Sequence, residues 1–392
     1  MRDVSRSSQV LSIACITVFS LVLLELALTV FYRHSEQSSR RARIDAILAS
    51  DIYRDVDWAA AFYAELEQVR FAWAPYVQTR KRFHEGKYIN IDAAGARKTW
   101  NPPPGAGDGP RVSIAMFGGS TLWGASARDD FTIPSLVSKR LAAAGVNAQV
   151  ANYAVDADVS SQSLIRLVLA LRGAKAPDIV VFYGGLMDCY STYAQGSVGL
   201  PYGAARYQQL VLDDTGVPRP PAPGDALRNM ALLRFAGDTA AYLQNAAHGG
   251  YWIARSQWPE LAGGAANLYL QNARFARALG RAYGFKTLFY WEPQLSEKPH
   301  RTDYENRKFA EQEHKAPGTY AFCFGMGGAV QEQQRELLGE AAVRDLRAIF
   351  AEVRAPLFVD GAHYGEAANA IVARRIAADI LQMRGSNPAP EQ

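Results

Sequence analysis

Two short segments carry residue types that together could activate a hydroxyl. The first, FGGST at residues 117–121, closes an apolar run with two glycines and a serine. Glycine permits a sharp turn from strand into helix. Such a turn leaves Ser120 exposed at a sheet edge, with its own N–H aimed at a site at the start of the next helix. The second segment, FVDGAH at 358–363, sets Asp360 and His363 three residues apart. A turn of that length presents both side chains on one side. The carboxylate can then hold the imidazole through Nδ1–H and leave Nε2 free to accept a proton. Alone, the first segment reads equally as an ordinary turn serine, and the second as a capping aspartate beside a surface histidine. Together they provide a nucleophile, a base and an orienting acid, in the chain order Ser, Asp, His.

That chemistry requires both segments to leave the same edge of one sheet. Apolar runs of strand length occur at 112–117 (VSIAMF), 148–153, 179–183 (IVVFY) and 287–291 (TLFYW), with a short fifth at 357–359. Helical stretches fall between and after them, at 133–144, 163–172, 268–283, 331–353 and 366–383. Continuous apolar strands alternating with helices imply a parallel sheet covered on both faces. In such sheets the site lies beyond the carboxyl ends of the strands. Ser120 follows the first of these strands, and Asp360 and His363 follow the last.

The 392 residues are 49% hydrophobic and 20% charged, in the range of a folded globular protein. This excludes a mainly disordered chain, a collagen-like repeat and a coiled-coil rod. Lysine and arginine total 42 against 38 acidic residues, a net charge of +4 that gives no footprint for nucleic acid. Three cysteines exclude a disulfide scaffold, and neither a Cys-x-x-Cys pair nor a His-Glu-x-x-His occurs to suggest a metal site. His84, His248, His300 and His314 are scattered without ligand spacing. Cys189 and Cys323 are the one pair outside the apolar N-terminal run that could bond, and two buried free thiols are their expected state.

Val10 to Tyr32 is mostly apolar. At about 1.5 Å per residue such a helix spans a hydrocarbon core of about 30 Å. The run exceeds the usual apolar core of a signal peptide, about 7–15 residues, and no clear small-x-small cleavage site follows. Residues 10–32 are therefore read as a transmembrane anchor between a 1–9 tail and a basic 33–46 linker. Glu25 interrupts the run and calls for snorkelling or protonation. Counting only lysine and arginine on either side would place the large domain in the cytoplasm. Residues 47–110 form an N-terminal extension, with amphipathic helix signals from Ile47 to Phe71 and a short strand at YINID, 88–92. The Pro/Gly loop NPPPGAGDGP at 101–110 closes it.

Four blocks carry a resemblance. FGGSTLWG (117–124), NYAVDADVSSQ (152–162), FYGGLMD (182–188) and DGAHYGEAAN (360–369) stand in the order and spacing of the SGNH (GDSL-type) hydrolase superfamily. With the YINID segment, the chain resembles a bacterial, membrane-anchored branch of it over roughly residues 85–385. The resemblance implies a three-layer α/β/α, flavodoxin-like domain at 111–385, with a mainly parallel five-stranded sheet. It implies Ser120 as nucleophile, His363 as general base and then acid, and Asp360 as the group that orients His363. The family's oxyanion hole uses the serine N–H, a second-block glycine N–H and a third-block asparagine side chain. Here these last two positions fall on Ala157 and Met187. Met187 has no donor, and losing one such donor typically costs about 10²–10³ in rate.

Asp188 stands where the family has aspartate, in a structural role. With it, Trp123 and Glu292 are candidates for the substrate pocket, so that Trp123, Asp188 and Glu292 make up its expected wall. The aromatic-rich stretch 191–265, broken by prolines at 218–223, reads as a lid or specificity insertion, and residues 386–392 as a tail. The expected activity is that of a serine esterase acting through an acyl-enzyme on a small ester or an acylated surface glycan, with no metal or organic cofactor. A catalytically weakened domain that binds glycan or a protein partner at the membrane, and an acyltransferase using the same three residues, are the alternatives. Members of the branch usually hold the hydrolase domain outside the cytoplasm, which outweighs the small charge bias and implies the periplasmic side.

Overall fold

The computed structural model describes residues 6–103, 108–173, 175–204, 230–247, 250–340 and 342–385. His248, the prolines at 218–223 and the 386–392 tail lie outside the described residues. The chain divides into two compact units, one within Met1–Ala46 and Leu210–Gly250, the other within Ile47–Gln209 and Tyr251–Gln392.

In the larger unit five strands form one sheet: β1 (Asp108–Gly118), β2 (Val146–Asn152), β3 (Ile179–Gly184), β4 (Lys286–Trp291) and β5 (Val343–Asp345). Every neighbouring pair is parallel, in the order β2-β1-β3-β4-β5. This is the flavodoxin-like order, whose sites lie at the carboxyl ends of the strands. Successive side chains point to opposite faces, so β1, β3 and β4 each supply both cores. On one face Phe117, Phe182 and Phe289 stack across three strands, with ring centroids 5.6 and 5.3 Å apart. Helices Trp258–Tyr283 and Thr319–Leu338 pack together over that face. On the other, helix Ile133–Ala143 packs on β2 and on the last helix, Glu366–Arg384. Buried Tyr290 donates from β4 to Asp379 of that last helix at 2.8 Å.

The fifth strand is not where the sequence placed it. Residues 357–359 form no strand and make only an isolated bridge, Phe358 with Tyr364. The edge position belongs to Val343–Asp345, inside the stretch read as one helix over 331–353. That helix, Thr319–Leu338, stops at Gly339, whose φ of 76° is left-handed and ends it. Val343 to Asp345 is then free to pair with Phe289 to Trp291. A three-residue edge strand has too short a pattern to read.

Cys189 and Cys323 are not free thiols. They form a disulfide joining helix Leu186–Gln195 to helix Thr319–Leu338, with Cα atoms 5.2 Å apart. Cys15 is the free cysteine. The extension is tied to the sheet by two antiparallel hairpins, Phe71–Ala74 with Gln78–Lys81 and His84–Glu85 with Asn90–Ile91. Arg97 then bridges to Asn152 at the end of β2.

In the smaller unit one helix runs from Arg6 to Leu48, through both the apolar run and the basic segment after it. It is long and apolar enough to cross a membrane, by length and composition; a signal sequence meets the same criterion. The unit's second described helix is Ala231–Ala247.

Candidate active site

β1 ends at Gly118, and Ser120 opens the short helix Ser120–Trp123. Gly118 is required by proximity, since a Cβ there would lie 2.1 Å from the Tyr183 carbonyl oxygen of β3. Gly119 is extended, with φ −87°, so neither glycine serves through a left-handed backbone.

Ser120 Oγ lies 2.7 Å from His363 Nε2, across 243 residues of chain. His363 Nδ1 lies 2.9 and 3.1 Å from the two Asp360 oxygens. Asp360 also accepts the backbone N–H groups of Ala362 at 2.9 Å and His363 at 2.7 Å. The imidazole and the carboxylate each keep about a quarter of their side-chain surface exposed (26% and 29%). Burial raises the Asp360 carboxyl, but the imidazole's charge and the three N–H donors overcome this and hold it well below its ordinary range. Burial lowers the His363 imidazole, but the Asp360 charge overcomes that and leaves it above its ordinary value. The pair is therefore an ionised carboxylate holding an imidazole whose other nitrogen meets the Ser120 hydroxyl.

No strand precedes Asp360, so other groups hold its loop. Val359 N–H donates to the His363 carbonyl at 2.8 Å, and Gly365 N–H to Leu357 at 2.9 Å. Buried Glu305 accepts the N–H groups of Leu357 and Phe358 at 2.8 and 3.1 Å, and pairs with buried Lys298 at 2.5 Å. Tyr304 and Tyr320 donate to the carbonyls of Val359 and Gly361. Glu305 follows Thr302 in a capping box, which is legible as a helix start; its reach into the loop is not.

Ala157 has φ 65°, the left-handed conformation that glycine adopts freely and alanine only at a cost. Met187 lies on the first turn of helix Leu186–Gln195, and its Cγ comes within 3.7 Å of where a Cβ on Gly119 would sit. A thioether side chain thus borders the Ser120 turn. Asp188 turns away toward Ser160, accepting its N–H at 3.0 Å and its hydroxyl, and burial pushes its carboxyl up to about 6. Trp123 is fully buried, with Lys81 Nζ 4.2 Å and the Arg97 guanidinium 4.4 Å from ring centroids. Its ring is enclosed beside the Ser120 turn, in the short helix Ser120–Trp123. Glu292 follows β4 and is 3% exposed. It accepts the Leu186 N–H at 3.2 Å and bonds the Thr121 hydroxyl, and burial pushes its carboxyl up to about 7.

Sequence reasoning missed two buried cations from the extension. Lys81 pairs with Asp156 of the second block at 2.7 Å. Arg97 donates to Asp129 at 3.0 Å and to the carbonyls of Trp123, Gly124 and Ala127 at 3.0, 2.6 and 2.7 Å. It thereby fixes the loop that follows Ser120. Nothing in the spacing of these residues signals the partners, which lie 26 to 75 positions away. Among the described residues no cluster of His, Cys, Asp and Glu could hold a metal ion.

No family model matches the chain, and no curated protein matches it. Solved structures similar to it include the acetyl xylan esterase AlAXEase, 12% identical, over 69% of this chain and 100% of that one, with TM-score 0.37. A carbohydrate acetylesterase family member from Sinorhizobium meliloti is 12% identical over 70% of this chain and 99% of its own, with TM-score 0.39. A lipolytic protein of the G-D-S-L family from Veillonella parvula is 11% identical over 70% and 99%, with TM-score 0.38. At these TM-scores the likeness adds no argument to the geometry described above.

Proposed function

We propose that this chain is a serine esterase of the SGNH type, acting through an acyl-enzyme on Ser120. The observation that carries the reading is the relay from Ser120 Oγ through His363 to Asp360, with contacts of 2.7 and 2.9 Å. His363 Nε2 takes the serine proton as Oγ attacks an ester carbonyl carbon. The Ser120 and Ala157 N–H groups are the available donors for the resulting oxyanion. Collapse expels the alcohol, which receives the proton from His363. Water, deprotonated by the same nitrogen, then releases the acid and restores Ser120. Every proton passes through Nε2, so the cycle closes with no other carrier.

The substrate class is a small ester or an acylated glycan, with an acyltransferase differing only in the acceptor that replaces water. The hydrolase domain would span 111–385, with 191–265 shaping specificity. Its position outside the cytoplasm is supported by the Cys189–Cys323 disulfide, which belongs to an oxidising compartment. A second reading has its own observation. Met187 borders the nucleophile where a donor is wanted, which favours a weakened catalyst that binds an acylated glycan or a partner at the membrane. Hydrolysis of p-nitrophenyl acetate by the full chain in detergent separates the two. Turnover abolished in Ser120→Ala supports the esterase, whereas a folded chain without turnover supports the binder.

A further inference from the structure

Glu25 stands inside the apolar run Val10–Tyr32, where a carboxylate without partners is costly. It has partners: its oxygens accept the N–H groups of Ala231 at 2.6 Å and Leu232 at 2.9 Å. These are orphan donors in the first turn of helix Ala231–Ala247, where a negative charge is stabilised. Seven residues further along both helices, Tyr32 donates to Asp238 at 2.9 Å. Equal advance on both sides makes the two helices parallel and in register. The first turn of Ala231–Ala247 therefore lies at the depth of Glu25, about 10 Å inside the level of Tyr32.

Two features of the helix agree with that depth. Arg234, one turn in, sends its guanidinium over the Tyr32 ring at 4.0 Å and on to Glu36 at 2.6 Å, toward the polar end. A long cation reaching outward from an apolar level is snorkelling. Within that depth Leu232 and Phe235 fall beside the face turned to the first helix, and Phe235 is 54% exposed. Tyr242 and Leu243 follow Asp238 and so stand past the level of Tyr32.

We propose that the first two turns of helix Ala231–Ala247 are membrane-seated, lying in the lipid beside the N-terminal helix with Leu232 and Phe235 toward the acyl chains, and that the helix leaves the lipid near Asp238. These residues meet lipid because the Glu25 contacts fix the helix's first turn within the span. The inference rests on the anchor reading of 10–32 and on no part of the catalytic one. It gives Glu25 a role as the group that caps the second helix inside the bilayer.

The test places an environment-sensitive NBD fluorophore on single cysteines in a Cys15→Ala background. The full chain is reconstituted in vesicles of phosphatidylcholine with a minority of phosphatidylglycerol, with or without doxyl-labelled lipid. Phe235→Cys reports the turns level with the span and Leu243→Cys the part past Tyr32; both sites are exposed, so labelling removes no packing. Leu21→Cys reports the span, and exposed Glu336→Cys reports water. The expected result is emission at 235 shifted to the blue like that at 21, with doxyl quenching at both, weaker quenching at 243 and none at 336. Adding Glu25→Ala should return 235 toward the emission of 336. Quenching at 21 with a water-like, unquenched signal at 235 overturns the proposal. An unquenched label at 21 overturns the anchor reading, and the proposal with it.

Discussion

The Glu292 carboxylate accepts the Leu186 N–H at 3.2 Å and so joins the end of β4 to the first turn of the helix that carries Met187. The same carboxylate bonds Thr121, the residue after Ser120. One buried acid thus ties together two turns that flank Ser120. Burial pushes it up to about 7 from an ordinary 4.5, so the unfolded chain releases its proton first as pH rises. Between those values the folded state binds more protons, and stability falls with rising pH. Glu292→Gln keeps an acceptor for Leu186 and removes the titration. The variant should gain on the natural chain by roughly 3 kcal/mol between pH 4.5 and 8, read by urea unfolding. An unchanged stability difference across that range would refute the assigned burial.

The proposed cycle needs His363 neutral, and Asp360 holds its pKa above the ordinary imidazole value. The acid limb of kcat/KM should therefore lie above about 6.5. Asp360→Asn should move that limb down and reduce kcat by on the order of 10³–10⁴ through loss of the held tautomer. A pH–rate profile of p-nitrophenyl acetate hydrolysis measures both, and a limb unmoved by the substitution contradicts the pairing.

Met187 offers the oxyanion no donor where the resembling family has asparagine. Met187→Asn should raise kcat, by up to about 10², with KM little changed. An equal or lower kcat in a folded variant would mean that another group already fills the position.

Ala157 holds a left-handed backbone, φ 65°. Relief of that conformation is worth roughly 1–2 kcal/mol and glycine's extra unfolded-state freedom takes back part of it. Ala157→Gly should stabilise the chain by about 0.5–1 kcal/mol in denaturant, and a destabilised variant would argue against strain at this position.

Arg97 is 2% exposed and neutralises Asp129, itself 6% exposed. Arg97→Met fills the space but strands a buried carboxylate, at a cost of about 3–5 kcal/mol. Thermal or urea unfolding reads the loss. Because Arg97 also grips the Trp123 and Gly124 carbonyls, esterase activity should fall before global unfolding does.

Much of this arrangement was legible in the sequence where periodicity or motif spoke. The apolar runs at 112–117, 148–153, 179–183 and 287–291 coincide with four parallel strands, because strands buried on both faces leave continuous hydrophobic stretches. The segments at Ser120 and at Asp360 to His363 were readable because chemistry restricts which residues can stand there. Val343–Asp345 was hidden by brevity, and its place was given to 357–359, which shares the apolar character but is held by Glu305 and Tyr304 instead. The Cys189–Cys323 bond depends on two helices meeting across 134 positions, which local pattern does not report. Lys81 and Arg97 look like surface charges in a polar stretch. Only the fold turns them inward against Asp156 and Asp129.

The central claim is that Ser120 is a nucleophile activated by His363. Fluorophosphonate labelling of the full chain, followed by peptide mass mapping, tests it most directly. A single adduct on Ser120, absent in His363→Ala and suppressed at a pH well below the acid limb, is the result expected. A folded chain that takes up no label, or takes it up at another residue, would contradict the account.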